Sequence, residues 1–208
     1  MGEQLKKRMR EPFVAYMNQA LGEDTVLIAC GLPASYKTET TEVIAKLKGY
    51  TILRTDMIRL EVLKDEDIFD EKVASSMDKR KRVYDEMFRM AEELASKGKS
   101  IILDATFVTQ SLRRRAAEVA AKHGKTLVIQ QTQCPQEVSV RRISERTKEN
   151  YESNALTEQA YLNNKNKFEP VDLEDLKDRY PTLNIVHFMV DTTSDLEEAW
   201  RVIDRRTV

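Results

Sequence analysis

Short apolar runs alternate with helical patterns along most of the chain. Five runs predict strands, at residues 25–30, 50–53, 100–104, 126–132 and 183–190. Between them, apolar residues recur every three or four positions, which is the spacing of amphipathic helices. Strands that alternate with helices in this way predict an α/β fold, with a doubly wound parallel sheet and helices on both of its faces.

Two further patterns lie at the ends of the chain. Residues 3–21 carry an apolar face at helical spacing, and we interpret residues 1–24 as an N-terminal helical extension. Residues 25–208 then form one domain, which is long enough to bury a substantial core. A last helix is predicted by four apolar residues near the C-terminus, Leu196, Ala199, Trp200 and Ile203.

Composition narrows the classes of function. The 34 basic and 35 acidic residues nearly balance, so overall charge gives no argument for nucleic-acid binding, and only the clusters at 79–82 and 113–115 favour it. No apolar run reaches the roughly 18 residues of a membrane span, so we expect a cytoplasmic protein without a membrane partner. Cys30 and Cys134 predict neither a metal cluster nor a disulfide framework.

The first predicted strand runs into a sequence that matches the phosphate-binding P-loop pattern at Gly31, Lys37 and Thr38. In such a loop, backbone N–H groups close around an anion at a helix N-terminus, the lysine contacts the β- and γ-phosphates, and the hydroxyl binds Mg²⁺. An ordinary strand-to-helix turn is the alternative, which the flanking patterns disfavour. The candidate ATP-binding residues of the loop are Gly31, Leu32, Pro33, Ala34, Ser35, Tyr36, Lys37 and Thr38.

The loop departs from the P-loop pattern at Tyr36, where a second glycine is expected. Backbone N–H groups bind an anion whatever side chain they carry, but tyrosine brings a bulky ring and reaches positive φ less readily than glycine. Two outcomes are open. Either the ring points outward and the loop keeps its shape, or the loop is reshaped and the affinity for nucleotide falls.

Two carboxylates follow predicted strands of the same sheet. Asp56 comes just after the second strand, and Asp104 ends the third. Ligands of open α/β sheets bind beyond the carboxyl ends of the strands, so Asp56 is a candidate base and Asp104 a candidate organiser of a metal ion. Alternatively, each of them caps a helix, with Arg59 as a solvated partner of Asp56.

Two arginines, Arg142 and Arg146, lie one turn apart on the helix that follows the fourth predicted strand. Arginines in such a position stabilise the negative charge that develops during phosphoryl transfer. The alternative is a solvated basic face on a surface helix.

Taken in chain order, these motifs make the sequence similar to a known family, the small P-loop kinases grouped with the kinase half of polynucleotide kinase and, more distantly, with zeta toxins. The resemblance covers about residues 25–204. Besides the P-loop, the motifs that carry it are Asp56–Arg59, Ile102–Thr106, Arg142–Arg146, Ser153–Ala155, Phe168–Pro170 and Val190–Thr192.

The resemblance implies a P-loop NTPase fold with a five-stranded parallel sheet in the order 2-3-1-4-5, and it implies ATP and Mg²⁺ as ligands. It also implies a role for each candidate residue. Asp56 is then the base, and it binds the acceptor together with Arg59. Phosphoryl transfer is assisted by Lys37 and by the lid residues Arg142 and Arg146. Thr38 and Asp104 organise the metal, and Asp191 and Thr192 flank the adenine.

These features favour an ATP-dependent kinase that transfers the γ-phosphoryl group to a hydroxyl of a small-molecule acceptor. One alternative is a 5′-hydroxyl polynucleotide kinase, which the near-neutral charge and the lack of an evident aromatic platform disfavour. The other is a non-catalytic nucleotide-binding protein in which Tyr36 has closed the phosphate site. The sequence leaves the acceptor open.

Overall fold

A computed structural model describes residues 9–67, 73, 76–145 and 157–208. Its strands are β1 (Glu11–Pro12), β2 (Thr25–Cys30), β3 (Thr51–Arg54), β4 (Ile101–Asp104), β5 (Thr126–Gln133), β6 (Ile185–Asp191) and β7 (Arg201–Thr207). Its helices are α1 (Phe13–Ala20), α2 (Lys37–Lys48), α3 (Thr55–Val62), α4 (Met77–Ser96), α5 (Gln110–Lys122), α6 (Gln136–Ser144), α7 (Glu158–Lys167) and α8 (Leu173–Arg179). A short 3₁₀ turn, Glu197–Ala199, precedes β7.

The described strands form one sheet in the order β1-β7-β6-β5-β2-β4-β3. The five strands from β2 to β6 run parallel, whereas β7 and β1 pair antiparallel at one edge. The α/β P-loop fold is thus confirmed, but the expected count of five strands is wrong because the described residues form a sheet of seven. Numbered among themselves, the five parallel strands follow the order 2-3-1-4-5.

The predicted last helix is wrong, because residues 201–207 form strand β7. Trp200 and Val202 are buried while Leu196 is 61% exposed, so these apolar residues do not share one helical face. Strand β7 pairs with β6, which would otherwise present a row of unpaired N–H and C=O groups at the sheet edge. The backbone hydrogen bonds between β7 and β6 therefore outweigh the helical spacing of the apolar residues.

At the N-terminus, the helix expected over residues 3–21 is shorter in the described part of the chain. Residues 1–8 lie outside the described residues, and β1 precedes α1, which begins after Pro12. Phe13 and Met17 of α1 are buried against the sheet. No helix in the described ranges has the length and apolar character needed to cross a membrane.

Helices cover both faces of the sheet. Every residue of β2 is buried, as expected for a central strand of a parallel sheet with two covered faces. On one face, α3, α4, α5 and α8 pack in one core cluster, and on the other, α1 and α2 pack together with Trp200. Because the central strands run parallel, the carboxyl ends of β2, β3, β4 and β5 lie at one edge of the sheet.

Candidate active site

The turn between β2 and α2 has the backbone of a compact loop that needs positive φ angles. Gly31 has φ 147°, and a Cβ there would lie 2.7 Å from the carbonyl oxygen of Thr132, so glycine is required. Ala34 and Tyr36 have φ 57° and 56°, in the left-handed region. Tyr36 thus adopts a conformation that glycine adopts at no steric cost, and it does so at a cost of about 1–2 kcal/mol.

Four carbonyl groups of this loop accept hydrogen bonds from protein donors. The acceptors, with their donors, are Leu32 (Lys37 Nζ, 2.7 Å), Ala34 (Arg142 Nη1, 3.2 Å), Ser35 (Thr192 Oγ1, 2.9 Å) and Tyr36 (Thr40 N, 3.0 Å). The amides behave differently. Those of Leu32, Ala34, Ser35 and Tyr36 donate to no atom of the described residues. The loop therefore keeps its donors for a ligand, and donors of this kind beside a helix N-terminus bind anions.

The ring of Tyr36 lies outside this loop and packs toward the C-terminal segment. Its hydroxyl donates to Asp195 Oδ1 at 2.9 Å, its centroid is 5.6 Å from that of Trp200, and Arg142 Cζ lies 3.7 Å above it. The cation–π contact contributes roughly 0.5–2 kcal/mol, which helps to offset the strained backbone. Of the two outcomes open from the sequence, the structure has the outward ring.

Asp195 is the acidic centre of this cluster. It accepts hydrogen bonds from Arg141, Tyr36 and Arg142, which together lower the pKa of Asp195 to about 2. Burial and the hydrogen bond to Asp195 raise the pKa of Tyr36, so its hydroxyl stays a donor at neutral pH. The P-loop is thereby tied to the segment before β7.

Thr38 and Asp104 form the candidate metal site. The hydroxyl of Thr38 donates to Asp104 Oδ2 at 2.8 Å, and the carboxylate is 5% exposed. Burial raises the pKa of Asp104, while the hydrogen bond from Thr38 and the charges of Lys37 and Arg54 oppose that rise. A cation would offset the desolvation of this carboxylate, and two hard oxygen donors fit Mg²⁺, which takes its other ligands from phosphates and water.

The described residues do not form a complete all-protein metal cage at this site. Within the described ranges there is no cluster of three or more His, Cys, Asp or Glu side chains that could hold a metal ion. Mg²⁺ is usually held by one or two carboxylates together with substrate phosphates, so Thr38 and Asp104 suffice only when a nucleotide brings the rest.

Asp56 and Arg59 lie at the same edge of the sheet. Helix α3 begins directly after β3, whose Arg54 is in register with Asp104 of β4. Asp56 is in the first turn of α3 and half-buried, and Arg59 is one turn further on and 7% exposed. The structure thus places the candidate base and the candidate metal site beyond the ends of neighbouring strands.

Sequence analysis did not single out two residues of α4, Tyr84 and Arg80, that interact with residues at this edge of the sheet. Tyr84 is buried, which raises its pKa, and the charges of Arg80 and Asp56 both act on its hydroxyl. Arg80 Nη2 donates to Thr106 Oγ1 at 3.4 Å, two residues beyond Asp104. The only sequence signal was their position on α4, where Tyr84 counted toward the apolar face and Arg80 toward a charged run.

Arg142 occupies a different place from the candidate base. It is 6% exposed, and its guanidinium donates to the carbonyls of Thr192, Thr193 and Ser194 and to Asp195. These contacts hold it beside the end of β6, separated from Asp56 by the intervening strands. Its role as a lid residue stays a prediction, and Arg146 lies outside the described residues.

Asp191 is the last residue of β6 and Thr192 follows it, on the same side as Arg142. The Thr192 hydroxyl donates to the Ser35 carbonyl, and Asp191 Oδ1 accepts from the amide of Thr193 at 3.0 Å and from its hydroxyl at 2.6 Å. The segment predicted to flank adenine is thus attached directly to the P-loop. Its contact with the base stays a prediction.

A cavity of about 270 Å³ opens beside the first half of the P-loop. It lies between the loop, the end of β5 and helices α6 and α7, and Lys165 is the charged residue of its lining. The lining residues are Gly31, Leu32, Ser35, Gln131, Thr132, Gln133, Cys134, Ser139, Lys165 and Phe168. The loop therefore borders space that a ligand can enter.

The two basic clusters that could favour nucleic-acid binding are largely neutralised by acids. In the first, Lys79 and Arg82 pair with Glu66, and Lys81 pairs with Asp85. In the second, Arg113 is buried, and Arg114 and Arg115 pair with acids of neighbouring helices, Asp175 and Asp85. Salt bridges of this kind leave little free positive charge for a phosphate backbone.

The fold and this loop together define a P-loop protein of the α/β class. Comparison with known sequence families matches residues 26–171 to the AAA domain family. The match covers most of the chain, and the chain therefore belongs to this family. A search among curated proteins finds no match.

Solved structures share the fold. A gluconokinase from Sinorhizobium meliloti 1021 is 19% identical, with a TM-score of 0.57 over 86% of this chain and 89% of that chain. A sugar kinase from Janibacter sp. HTCC2649 is 16% identical, with a TM-score of 0.54 over 76% and 92% of the two chains. A chain of the Pnkp1/Rnl/Hen1 RNA repair complex is 16% identical, with a TM-score of 0.51 over 73% and 48%. The resemblance to small P-loop kinases is thus confirmed in family and fold.

Proposed function

We propose that the protein is an ATP-dependent kinase that transfers the γ-phosphoryl group to a hydroxyl of a small-molecule acceptor. The observation that carries the proposal is the P-loop between Gly31 and Thr38. Four of its carbonyls accept from protein donors, and the ring of Tyr36 lies outside it. The amides of Leu32, Ala34, Ser35 and Tyr36 donate to no atom of the described residues. A loop with this arrangement retains the requirements for binding a phosphate chain.

The residues around the loop support phosphoryl transfer beyond binding. The loop amides and Lys37 hold the donor phosphates, and the Lys37 ammonium already lies across the loop on the Leu32 carbonyl. Thr38 and Asp104 would hold Mg²⁺, which supplies charge neutralisation on the β- and γ-phosphates when it is bound. Asp104 is rigidly supported because it ends a buried strand.

Asp56 serves as the general base in this proposal. It accepts the proton of the acceptor hydroxyl while that oxygen forms a bond to the γ-phosphorus, and the bond from the γ-phosphorus to the bridging oxygen breaks to release ADP. Arg59, one helical turn away, binds the acceptor. Arg142 and Arg146 as lid residues, and Asp191 and Thr192 beside the adenine, complete the proposed site.

The test is ATP turnover with a panel of small polyols and sugar acids. We expect ADP release that depends on one of these acceptors, and a fall in kcat of about 10²–10⁴ in Asp56→Asn with unchanged affinity for Mg-ATP. Asp65→Asn is the matched control, because Asp65 is an exposed carboxylate beyond the end of α3. ATP consumption that is the same in Asp56→Asn and in the wild type would contradict the assignment of the base.

A further inference from the structure

Arg54 is a cation beside the candidate metal site to which the proposed reaction gives no role. It is the last residue of β3 and lies in register with Asp104, the last residue of β4. Its Nε is 3.5 Å from Asp104 Oδ2, the oxygen that also accepts the hydrogen bond from Thr38. A permanent positive charge therefore lies against a carboxylate oxygen that the candidate metal site offers to a cation.

Glu42 binds the other side of this guanidinium. Arg54 Nη2 donates to Glu42 Oε1 at 2.5 Å. Glu42 follows Thr38 by four residues on α2, so the two side chains lie on one face of that helix. The Glu42 side chain is 44% exposed and the Asp104 side chain 5%. Arg54 is thus held between an acid in contact with water and an acid in the interior.

The two contacts of Arg54 differ in kind. The contact with Glu42 is a hydrogen bond, whereas the Nε that approaches Asp104 is buried and makes no hydrogen bond to a described residue. The contact with Asp104 is therefore an attraction of charges without a directional bond. Another cation can replace Arg54 on Asp104 while the hydrogen bond to Glu42 stays intact.

Asp104 needs a counter-charge while no metal ion is bound. A carboxylate that is 5% exposed has lost most of its hydration, and a buried charge without a partner is strongly disfavoured. Thr38 and Asp104 do not complete the coordination of Mg²⁺ by themselves, because the ion takes further ligands from the nucleotide and water. Arg54 supplies positive charge in the meantime. The charge of Lys37 also acts on Asp104, but that ammonium is the group that contacts the phosphates of a bound nucleotide.

We infer that Arg54 is a built-in counter-cation of Asp104, and that it sets how tightly the site binds Mg²⁺. Before the nucleotide binds, Arg54 balances the charge of the carboxylate. On loading, Arg54 gives up Asp104 to the metal and stays hydrogen-bonded to Glu42. Arg54 is a positioning residue, since it acts through Asp104 and not on the acceptor or the transferred phosphate. The inference rests on the proposed function, because Thr38 and Asp104 are the proposed metal ligands.

The gain in ATP affinity that Mg²⁺ brings gives the first test. Calorimetry measures this gain as the ratio of the Kd for ATP in EDTA to the Kd for Mg-ATP. We expect Arg54→Met to raise the ratio by at least about threefold, because Arg54 no longer competes for Asp104. Arg54→Lys keeps the charge and should stay within about twofold of the wild type. Arg205→Met is the control for a lost charge, because Arg205 is exposed on β7, with four strands between β7 and β3.

Two results of this titration would overturn the inference. An unchanged or lower ratio in Arg54→Met would mean that Arg54 does not compete with the metal ion. A Kd for ATP in EDTA that rises by more than about tenfold in Arg54→Met would mean that Arg54 binds the phosphates directly.

Glu42 gives a second test, in which the effect of one variant depends on the other. Glu42→Gln removes the acid that draws Arg54 away from Asp104, so the ratio should fall by at least about twofold in this variant. In the double variant of Glu42→Gln with Arg54→Met, the ratio should equal that of Arg54→Met alone, since Glu42 acts through Arg54. An equal fall in both backgrounds would overturn the role of Arg54, because Glu42 would then attract the metal ion by its own charge.

Thermal melting in EDTA without nucleotide gives a third test that needs no ligand. Arg54→Met should melt lower than the wild type by at least about 2 °C, because Asp104 loses its counter-charge. In an Asp104→Asn background, which has no charge to balance, Arg54→Met should lower the melting temperature by less than half as much. The same loss in both backgrounds would overturn the inference, since Arg54 would then be only a structural support.

The outcomes separate this inference from the proposed function. A folded wild-type protein that binds ATP neither in EDTA nor with Mg²⁺ would overturn the proposed function and the inference with it. Binding of Mg-ATP with a ratio that Arg54→Met leaves unchanged would overturn the inference alone. A ratio that rises in Arg54→Met, falls in Glu42→Gln and stays unchanged in Arg205→Met would support both.

Discussion

The ring of Tyr36 lies beneath the guanidinium of Arg142, with Arg142 Cζ 3.7 Å from the ring centroid. This contact joins the P-loop to helix α6, because Arg142 belongs to that helix and also donates to the Ala34 carbonyl. A residue that departs from the usual glycine therefore has a structural purpose. It replaces the conformational freedom of glycine with contacts that hold the loop in one shape.

Replacement of Tyr36 by glycine should lower stability and leave nucleotide binding intact. Glycine relieves the left-handed backbone but loses the contacts with Arg142, Trp200 and Asp195, and we expect a net loss of about 1–2 kcal/mol in the free energy of unfolding. Denaturant unfolding measures the loss, and calorimetry with Mg-ATP measures the affinity. Tyr36→Phe, which removes only the bond to a half-exposed Asp195, should lose less than about 1 kcal/mol.

One result with the Tyr36 variants would contradict this prediction. Binding of Mg-ATP by Tyr36→Gly but not by the wild type would mean that the tyrosine closes the phosphate site. The protein would then be a non-catalytic relative of its family.

Asp104→Asn should raise the concentration of Mg²⁺ that is needed for ATP binding, and it should preserve the fold. The amide keeps the shape of the carboxylate but loses the charge that would attract the cation, so the apparent Kd for Mg²⁺ in the presence of ATP should rise by at least about tenfold. The measurement is a Mg²⁺ titration of ATP binding followed by calorimetry. An exposed acid in the second half of α5 serves as the control, as in Glu118→Gln. An unchanged Mg²⁺ requirement in Asp104→Asn would rule out its metal role.

The same carboxylate gives a prediction for stability. Because burial raises the pKa of Asp104 above its ordinary value, the native state holds its proton more tightly than the unfolded state, and stability falls as the pH rises through the raised pKa. At neutral pH, Asp104→Asn should therefore unfold at a temperature no lower than that of the wild type. A clear loss of stability would show that the charged form is favoured by its neighbours.

His187 makes stability depend on pH in the mildly acidic range. It is buried in β6, and burial together with the charge of Arg206 lowers the pKa of His187 to about 4, against the raising effect of Asp204. Between the ordinary histidine pKa of about 6.5 and that value, the unfolded state binds a proton that the native state does not, so stability falls as the pH falls. Between these pH values, the melting temperature should fall less steeply with falling pH for His187→Gln than for the wild type. Equal slopes of melting temperature against pH would count against this account.

The sequence predicts the elements whose structure is decided locally. Strand β2 and its P-loop could be recognised because a buried strand, a glycine and a Lys-Thr pair follow one another in a fixed spacing. The same holds for Asp56 and Asp104, because parallel strands bring their carboxyl ends to one edge. Both predictions need only the local patterns and the general rule for parallel strands.

Other features depend on contacts that no local pattern reveals. Strand β7 forms because β6 needs backbone partners, although its residues are spaced as in a helix. Arg113 belongs to a run of three arginines, yet it is fully buried and donates to the carbonyls of Phe107, Glu169 and Pro170. Arg59 is spaced like a solvated partner of Asp56, yet its Nε and Nη1 are buried and have no hydrogen-bond partner among the described residues. Each case involves residues far apart in the chain.

Calorimetric titration of the wild-type protein with Mg-ATP, with Lys37→Ala as the comparison, tests the central claim most directly. The claim is that the amides of the loop from Gly31 to Thr38 bind a phosphate chain although Tyr36 replaces a glycine. We predict one binding site in the wild type and an affinity lower by at least about tenfold in Lys37→Ala, because the ammonium no longer reaches the phosphates. A folded wild-type protein that takes up no Mg-ATP, with no difference between it and Lys37→Ala, would contradict the claim.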